Sequence, residues 1–179
     1  PTGGAPLVEK ALNALGQPIG VTPLTSVSDR DEDYAQLRGL LVDDAPGFTP
    51  SQRRALKRWV DGGGVLFLAL GPRAAQAPIG AGFAPFVEGV IQWKKLGRKG
   101  GATSSGAAKS SPAIDASHGS IFGTVRDSPI ALEARGRTEL LLDDPKRYDV
   151  LARWTDGGPL VWGKTQGREA VVALGLPLS

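Results

Sequence analysis

The chain has 179 residues, 41% of them apolar and 22% charged, with a formal net charge of +3, one histidine and no cysteine. That is enough chain for one domain with a real core, and the lack of cysteine excludes disulfides, thiolate metal sites and cysteine nucleophiles. No run approaches the ~18 consecutive apolar residues of a membrane helix. The pI near 9.4 traces to one acid-free stretch holding Lys94, Lys95, Arg98, Lys99 and Lys109, read as a solvated loop rather than a phosphate or membrane-surface contact.

The chain starts at Pro1 without a methionine and so reads as an excised or processed fragment, in which a missing targeting signal carries no information. Apolar residues at 7, 8, 11, 12 and 15 predict a helix over Leu7–Leu15 stopped by Gly16. Ile19–Val27 alternates loosely and predicts a strand, followed by an exposed acidic connection at Asp29–Asp33. Leu37–Val42 is nearly all apolar, as expected of a strand covered on both faces. Thr49 and Pro50 then supply an N-cap and a first helical residue. Ala55, Leu56, Trp59 and Val60 form the buried stripe of that helix, and Arg53, Arg54, Lys57 and Arg58 face water. Gly62–Gly64 stop it before a second buried strand, Val65–Leu70, and a parallel crossover is the default way to join two such strands through a helix.

Beyond Gly71 the pattern weakens. Pro72–Pro85 predicts a loop with a short helical turn, and Phe86–Trp93 a strand. Residues 96–112, rich in Gly, Ser and Lys, predict a mobile loop with little to bury. Ile130–Ala134, Thr138–Leu142, Val150–Trp154, Leu160–Lys164 and Glu169–Leu174 are short strands with glycine-bearing turns, which predict an antiparallel meander. The fold class expected is α/β, a three-layer flavodoxin-like open sheet, mainly parallel, with this meander at its C-terminal end. A doubly wound sheet normally opens on a strand, whereas this chain opens on a helix, so a first strand is expected upstream of Pro1 or in another segment. Trp59 and Trp154 are expected in the core, Trp93 and Trp162 partly exposed.

Few residues point to chemistry. Gly101–Ser110 approaches G-x-x-x-x-G-K-[ST], but Ala107 stands where the lysine belongs and no strong strand precedes it, so it cannot cradle phosphates in that way. Gly80-Ala81-Gly82 and Gly62-Gly63-Gly64 do not complete a dinucleotide fingerprint. His118 is read as a loop residue, there being no G-x-S-x-G elbow for it to serve. Asp43-Asp44 ends a core strand and could hold a magnesium ion, since α/β sheets bind ligands at strand ends, but neighbouring strand residues point to opposite faces, and turn formation and capping of the Ala45-Pro46-Gly47 loop is the favoured reading of the pair. Asp143-Asp144 before Pro145 has the same reading with less weight. The candidate ligand-binding set is Asp43, Asp44, Gly71 and Arg73, where the two core strands end; no catalytic residue, metal ligand or cofactor is assigned.

Two linked features carry a resemblance. One is the strand ending Val42-Asp43-Asp44, then Thr49-Pro50, a helix ending Trp59-Val60 before the glycines, and a strand ending Leu70-Gly71. The other is Asp149-Val150-Leu151-Ala152, Asp156-Gly157-Gly158-Pro159-Leu160-Val161, and Gly167-Arg168-Glu169 through Leu174-Gly175. Over residues 37–71 and 149–175 the chain resembles the class I glutamine amidotransferase-like domains of the flavodoxin-like superfamily, as found in bacterial aerotolerance-type membrane proteins beside von Willebrand factor A domains. The resemblance implies a single such domain over residues 1–179. The family's nucleophile is a cysteine at the elbow, where this chain has Gly71-Pro72-Arg73, so hydrolysis does not carry over.

The function expected is accordingly a non-catalytic interaction or scaffolding module of a larger, membrane-anchored bacterial protein, a pseudoenzyme on the extracytoplasmic side. Its partners would be other domains of the parent or another protein, with no nucleic acid and no membrane insertion by this segment. The alternative is a small-molecule or carbohydrate-binding domain using the crevice at the C-terminal ends of the core strands. An unrecognised hydrolase and a basic-loop nucleic-acid binder rank below these.

Overall fold

The computed structural model describes residues 20–78, 81–95, 112–113, 136–154, 156–166 and 168–178. The expected helix over Leu7–Leu15, the strand at Ile130–Ala134, His118, the stretch Gly101–Ser110 and nearly all of the 96–112 loop lie outside them.

Strand β1 (Gly39–Asp43) is followed by helix α1 (Pro50–Asp61) and strand β2 (Val65–Ala69). The Thr49 hydroxyl accepts from the Gln52 amide at 3.3 Å, and the Gln52 side chain accepts from the Thr49 amide at 2.8 Å, so two otherwise orphaned donors at the helix start are satisfied. Ala55, Leu56 and Val60 are the buried stripe. The helix stops where Gly62 donates back to Arg58 and Gly63 takes φ +100°, a conformation glycine adopts freely. Trp59 is only half-buried. It packs on Tyr34 at 5.7 Å between ring centres, donates to the Leu37 carbonyl at 3.1 Å, and lies where a Cβ on Gly64 would stand.

Strands β3 (Gly89–Lys95), β4 (Pro112–Ala113), β5 (Gly136–Leu142), β6 (Asp149–Trp154), β7 (Pro159–Gln166) and β8 (Glu169–Leu174) complete the set. A six-stranded sheet runs β1-β2-β8-β7-β6-β4, and β3 and β5 form a separate pair. The ladders β1–β2 and β2–β8 are parallel, and the other four are antiparallel. The three-layer, mainly parallel flavodoxin-like expectation is therefore corrected: this is a mixed, mostly antiparallel, strand-rich fold. The reason lies in the two apolar runs that suggested double coverage. Alternate residues Leu40, Val42, Leu66 and Leu68 are buried in one cluster with Leu56 and Val60 of α1, but their neighbours Leu41 and Phe67 are 41% and 40% exposed. α1 is the one α-helix among the described residues, and it covers one face. The reason for expecting an upstream first strand, that a doubly wound sheet opens on one, goes with that architecture.

Three further expectations change. Gly20–Val27 holds no strand, and Pro23, which has no N–H to give a ladder, sits in its middle. Trp162 is buried rather than partly exposed, since β7 lies inside the sheet and turns this ring into the main core. β5 leaves the expected meander and pairs instead with β3, Gly89 opposite Leu142 through Lys95 opposite Gly136. Gly136 is a strand residue rather than a turn, and glycine fits there because the Trp93 ring occupies the place of its Cβ. Phe86 and Val87 are buried in the approach to β3, which begins only at Gly89. The β6–β7–β8 meander is present as expected. Among the described residues no helix is long and apolar enough to cross a membrane.

Candidate functional site

The C-terminal ends of β1, β2 and β8 meet where the sequence placed a ligand, and the chain closes that place itself. Asp44 leaves β1 with φ +41°, a left-handed conformation that Asp tolerates better than most residues. Its amide still donates to the Ala69 carbonyl at 2.8 Å. Its buried carboxylate turns toward the loop after β2 and accepts from the Arg73 amide at 3.0 Å and the Ala74 amide at 2.9 Å, the start of a short 3₁₀ turn over Ala74–Gln76. Gly71 passes directly beneath, where a Cβ would lie 2.7 Å from the Asp44 Cγ. Asp44, Gly71 and Arg73 are thus brought together, but Arg73 contributes its backbone and leaves its side chain at the surface. Asp43 is not part of this group. Its carboxylate accepts from the Leu178 amide at 2.7 Å, which ties the far end of the described chain to β1.

Thr138 completes the closure. It is 1% exposed and donates its hydroxyl to the Leu70 carbonyl at 2.7 Å, while its amide donates to the Gly175 carbonyl at 2.8 Å. The carbonyls just beyond β2 and β8 are therefore both taken by β5. Sequence reasoning missed this residue. Its signal was present: Thr138, Leu140 and Leu142 form an i, i+2 series, and a threonine in an inward slot of such a series needs a hydrogen-bond partner.

The basic face of α1 borders an open groove lined by Arg53, Arg54, Lys57, Arg58 and the Ala84-Pro85 segment. Arg54 is exposed as expected, while the other three cations also find partners within the chain. Lys57 pairs with Asp61 and with Glu169, the latter at 2.7 Å, and those hydrogen bonds raise its pKa. Arg58 grips the Asp31 carboxylate through two nitrogens, each at 2.7 Å, and thereby lowers the Asp31 pKa. Arg53 donates to the Phe48 carbonyl at 2.9 Å. A third charged cluster joins Arg137 to Asp156 and Glu139, with Lys94 on the latter, and holds both carboxyls below their usual range. Among the described residues no group of three or more His, Asp or Glu is arranged to hold a metal ion.

Searches against protein families and against curated proteins find no match. Among solved structures, the mmIFT52 N-terminal domain superposes with a TM-score of 0.59 at 12% identity, over 97% of this chain and 78% of that one. The chain is similar in fold to that domain. At this identity the likeness concerns fold alone. An exo-β-1,4-mannosidase, Op5Man5 from Opitutaceae bacterium strain TAV5, aligns with a TM-score of 0.47 at 17% identity, over 95% of this chain and 25% of that one, too loosely to bear on fold or activity. The resemblance to glutamine amidotransferase-like domains, with its flavodoxin-like architecture and its von Willebrand neighbours, is overturned: an IFT52 domain is among the structural neighbours, and the sheet is mixed with mostly antiparallel ladders. The quoted motifs mark a capped helix between two strands and a glycine-turned meander, which many folds share.

Proposed function

We propose that this domain is a non-catalytic interaction module that presents its surface to a protein partner within a larger assembly. One observation carries the reading: the strand-end crevice is filled by the chain's own groups, Thr138 on the Leu70 carbonyl and Asp44 on two loop amides. A small molecule or sugar needs polar groups that are still free to aim at it, and these are already engaged, which disfavours the crevice-binding alternative. Ordered apolar side chains lie outside instead, as cross-strand neighbours. Leu41 is opposite Phe67 on β1 and β2, and Val90 opposite Leu141 on β3 and β5, the second pair each 55% exposed. Such pairs on a rigid backbone suit a protein surface. Membrane anchoring and an extracytoplasmic side, implied only by the overturned resemblance, form no part of this proposal.

The test has two arms. Thermal unfolding with panels of sugars, nucleotides and divalent cations is expected to show no shift in Tm, and a photo-crosslinking residue at position 90 is expected to yield a discrete protein adduct in cells that the same residue at position 54 does not. A ligand that raises Tm in the parent chain but not in Asp44→Asn refutes the proposal.

A further inference from the structure

We infer that the open edge of β1 pairs with β1 of a second copy of this chain, antiparallel and centred on Leu41, an inference that rests on the interaction reading above and names its partner. In a parallel ladder alternate residues bond to the neighbour and the others point the opposite way. The Val65 amide donates to the Arg38 carbonyl and the Asp44 amide to the Ala69 carbonyl, so Arg38, Leu40, Val42 and Asp44 spend their backbone bonds on β2. The N–H and C=O groups of Gly39, Leu41 and Asp43 therefore point away from β2, and among the described residues no strand lies there. Edge strands are normally blunted by lysine, proline, a bulge or shortness. β4, at the opposite edge, is two residues long, whereas Gly39-Leu40-Leu41-Val42-Asp43 carries none of these devices.

The edge is also complementary to itself. Its three outward residues are symmetric about Leu41, so a two-fold axis there sets Leu41 against Leu41 of the second copy and Gly39 against Asp43, with both backbone bonds made at each pair. Arg38 is exposed at one end of the strand, and Asp43 stands at the other; the carboxylate of Asp44 beside it is buried and turned to the loop after β2. Antiparallel pairing brings each arginine to the acidic end of its counterpart, where parallel pairing would set like charges side by side. Glycine opposite aspartate avoids a like-charge pair. Leu41, partly exposed on the same face of the sheet as Phe67, would meet its symmetry mate across the axis and extend that face.

Sedimentation of the full chain across the micromolar range is expected to show a mass rising from 18.6 kDa toward twice that value. Leu41→Glu, which sets two like charges on the axis, should weaken association by about tenfold or more with an unchanged circular dichroism spectrum. The chain has no cysteine, so Leu41→Cys gives a clean second measurement. Directly opposed residues in a bonded antiparallel pair have Cα atoms about 5.5 Å apart, within disulfide reach, and this variant should cross-link to itself on oxidation while Val90→Cys does not. A chain that stays monomeric throughout overturns the inference, as does equal cross-linking at both positions or a dimer indifferent to Leu41→Glu. If the chain is monomeric but position 90 still yields its adduct, the edge pairing fails and the interaction reading stands. An Asp44-dependent ligand shift sinks both.

Discussion

Replacing Asp44 probes the closed crevice most directly. Asp44→Ala removes the acceptor of the Arg73 and Ala74 amides, and hydrogen bonds to a charged group contribute about 1.5–3 kcal/mol net. It also leaves alanine at φ +41°, where a left-handed residue costs roughly 1–2 kcal/mol. A loss of about 3 kcal/mol is expected, which for a chain of this size lowers Tm by roughly 10 °C. Gly71→Ala attacks the same contact from below, by driving a Cβ to 2.7 Å from the Asp44 Cγ, and overpacking of this kind costs about 1–3 kcal/mol. Gly71 has no positive φ, so the obstacle is the carboxylate. In the double variant the carboxylate is gone and the alanine methyl has room, so the combined loss should fall short of the sum by about 1 kcal/mol or more. Urea unfolding of the four proteins measures the cycle. Additivity within about 0.5 kcal/mol, or a cost for Asp44→Ala below about 0.5 kcal/mol, would refute a stabilising role for the Asp44 carboxylate on the Arg73 and Ala74 amides.

Thr138→Val keeps the shape but withdraws the proton from the Leu70 carbonyl, and should cost about 1–2 kcal/mol by urea midpoint; a neutral result would show that the β5 closure contributes nothing to stability. Thr49→Ala breaks the reciprocal cap of α1 and should cost about 1 kcal/mol, with Thr49→Ser retaining most of it. The Arg137 cluster sets a pH dependence. Hydrogen bonds from Arg137, joined by Lys94 at Glu139 and by the Gly158 amide at Asp156, hold both carboxyls below their ordinary values. Their contribution is therefore complete above the unfolded carboxyl range near pH ~4 and is lost as pH falls through the lower folded values. The gap in urea midpoint between the parent chain and Arg137→Met should be widest at neutral pH and close on acidification; a gap that ignores pH contradicts the assignment.

What could be read from the residues was local. Thr49-Pro50, the stripe Ala55–Leu56–Val60 and the glycines after Asp61 specify α1 by themselves, and the turns around Asp156-Gly157-Gly158 specify the β6–β7 hairpin, because capping and turn chemistry act within a few residues. The partners of strands were not legible. The sequence of β5 says that one side of it is apolar, but not that Thr138 reaches Leu70, 68 residues away, or that Gly136 makes room for Trp93. Continuous apolar runs at β1 and β2 were ambiguous in the same way, since an exposed Leu41 and a buried Leu40 look alike until α1 is placed. Of the candidate residues Asp44, Gly71 and Arg73 converge, but the direction in which a carboxylate turns depends on a left-handed backbone at Asp44 that no local pattern announced.

The order of strands has a consequence for how the molecule is made. β8 is the last strand among the described residues, yet it lies between β2 and β7. During synthesis β1, α1 and β2 leave the ribosome well before the strand that completes their sheet, so β2 waits with its inner flank bare while more than ninety residues follow (about a hundred by sequence separation). An unpaired strand flank of this kind is open to wrong neighbours until its partner arrives. A permuted gene that begins with the Glu169–Leu174 segment would spare the nascent chain that wait.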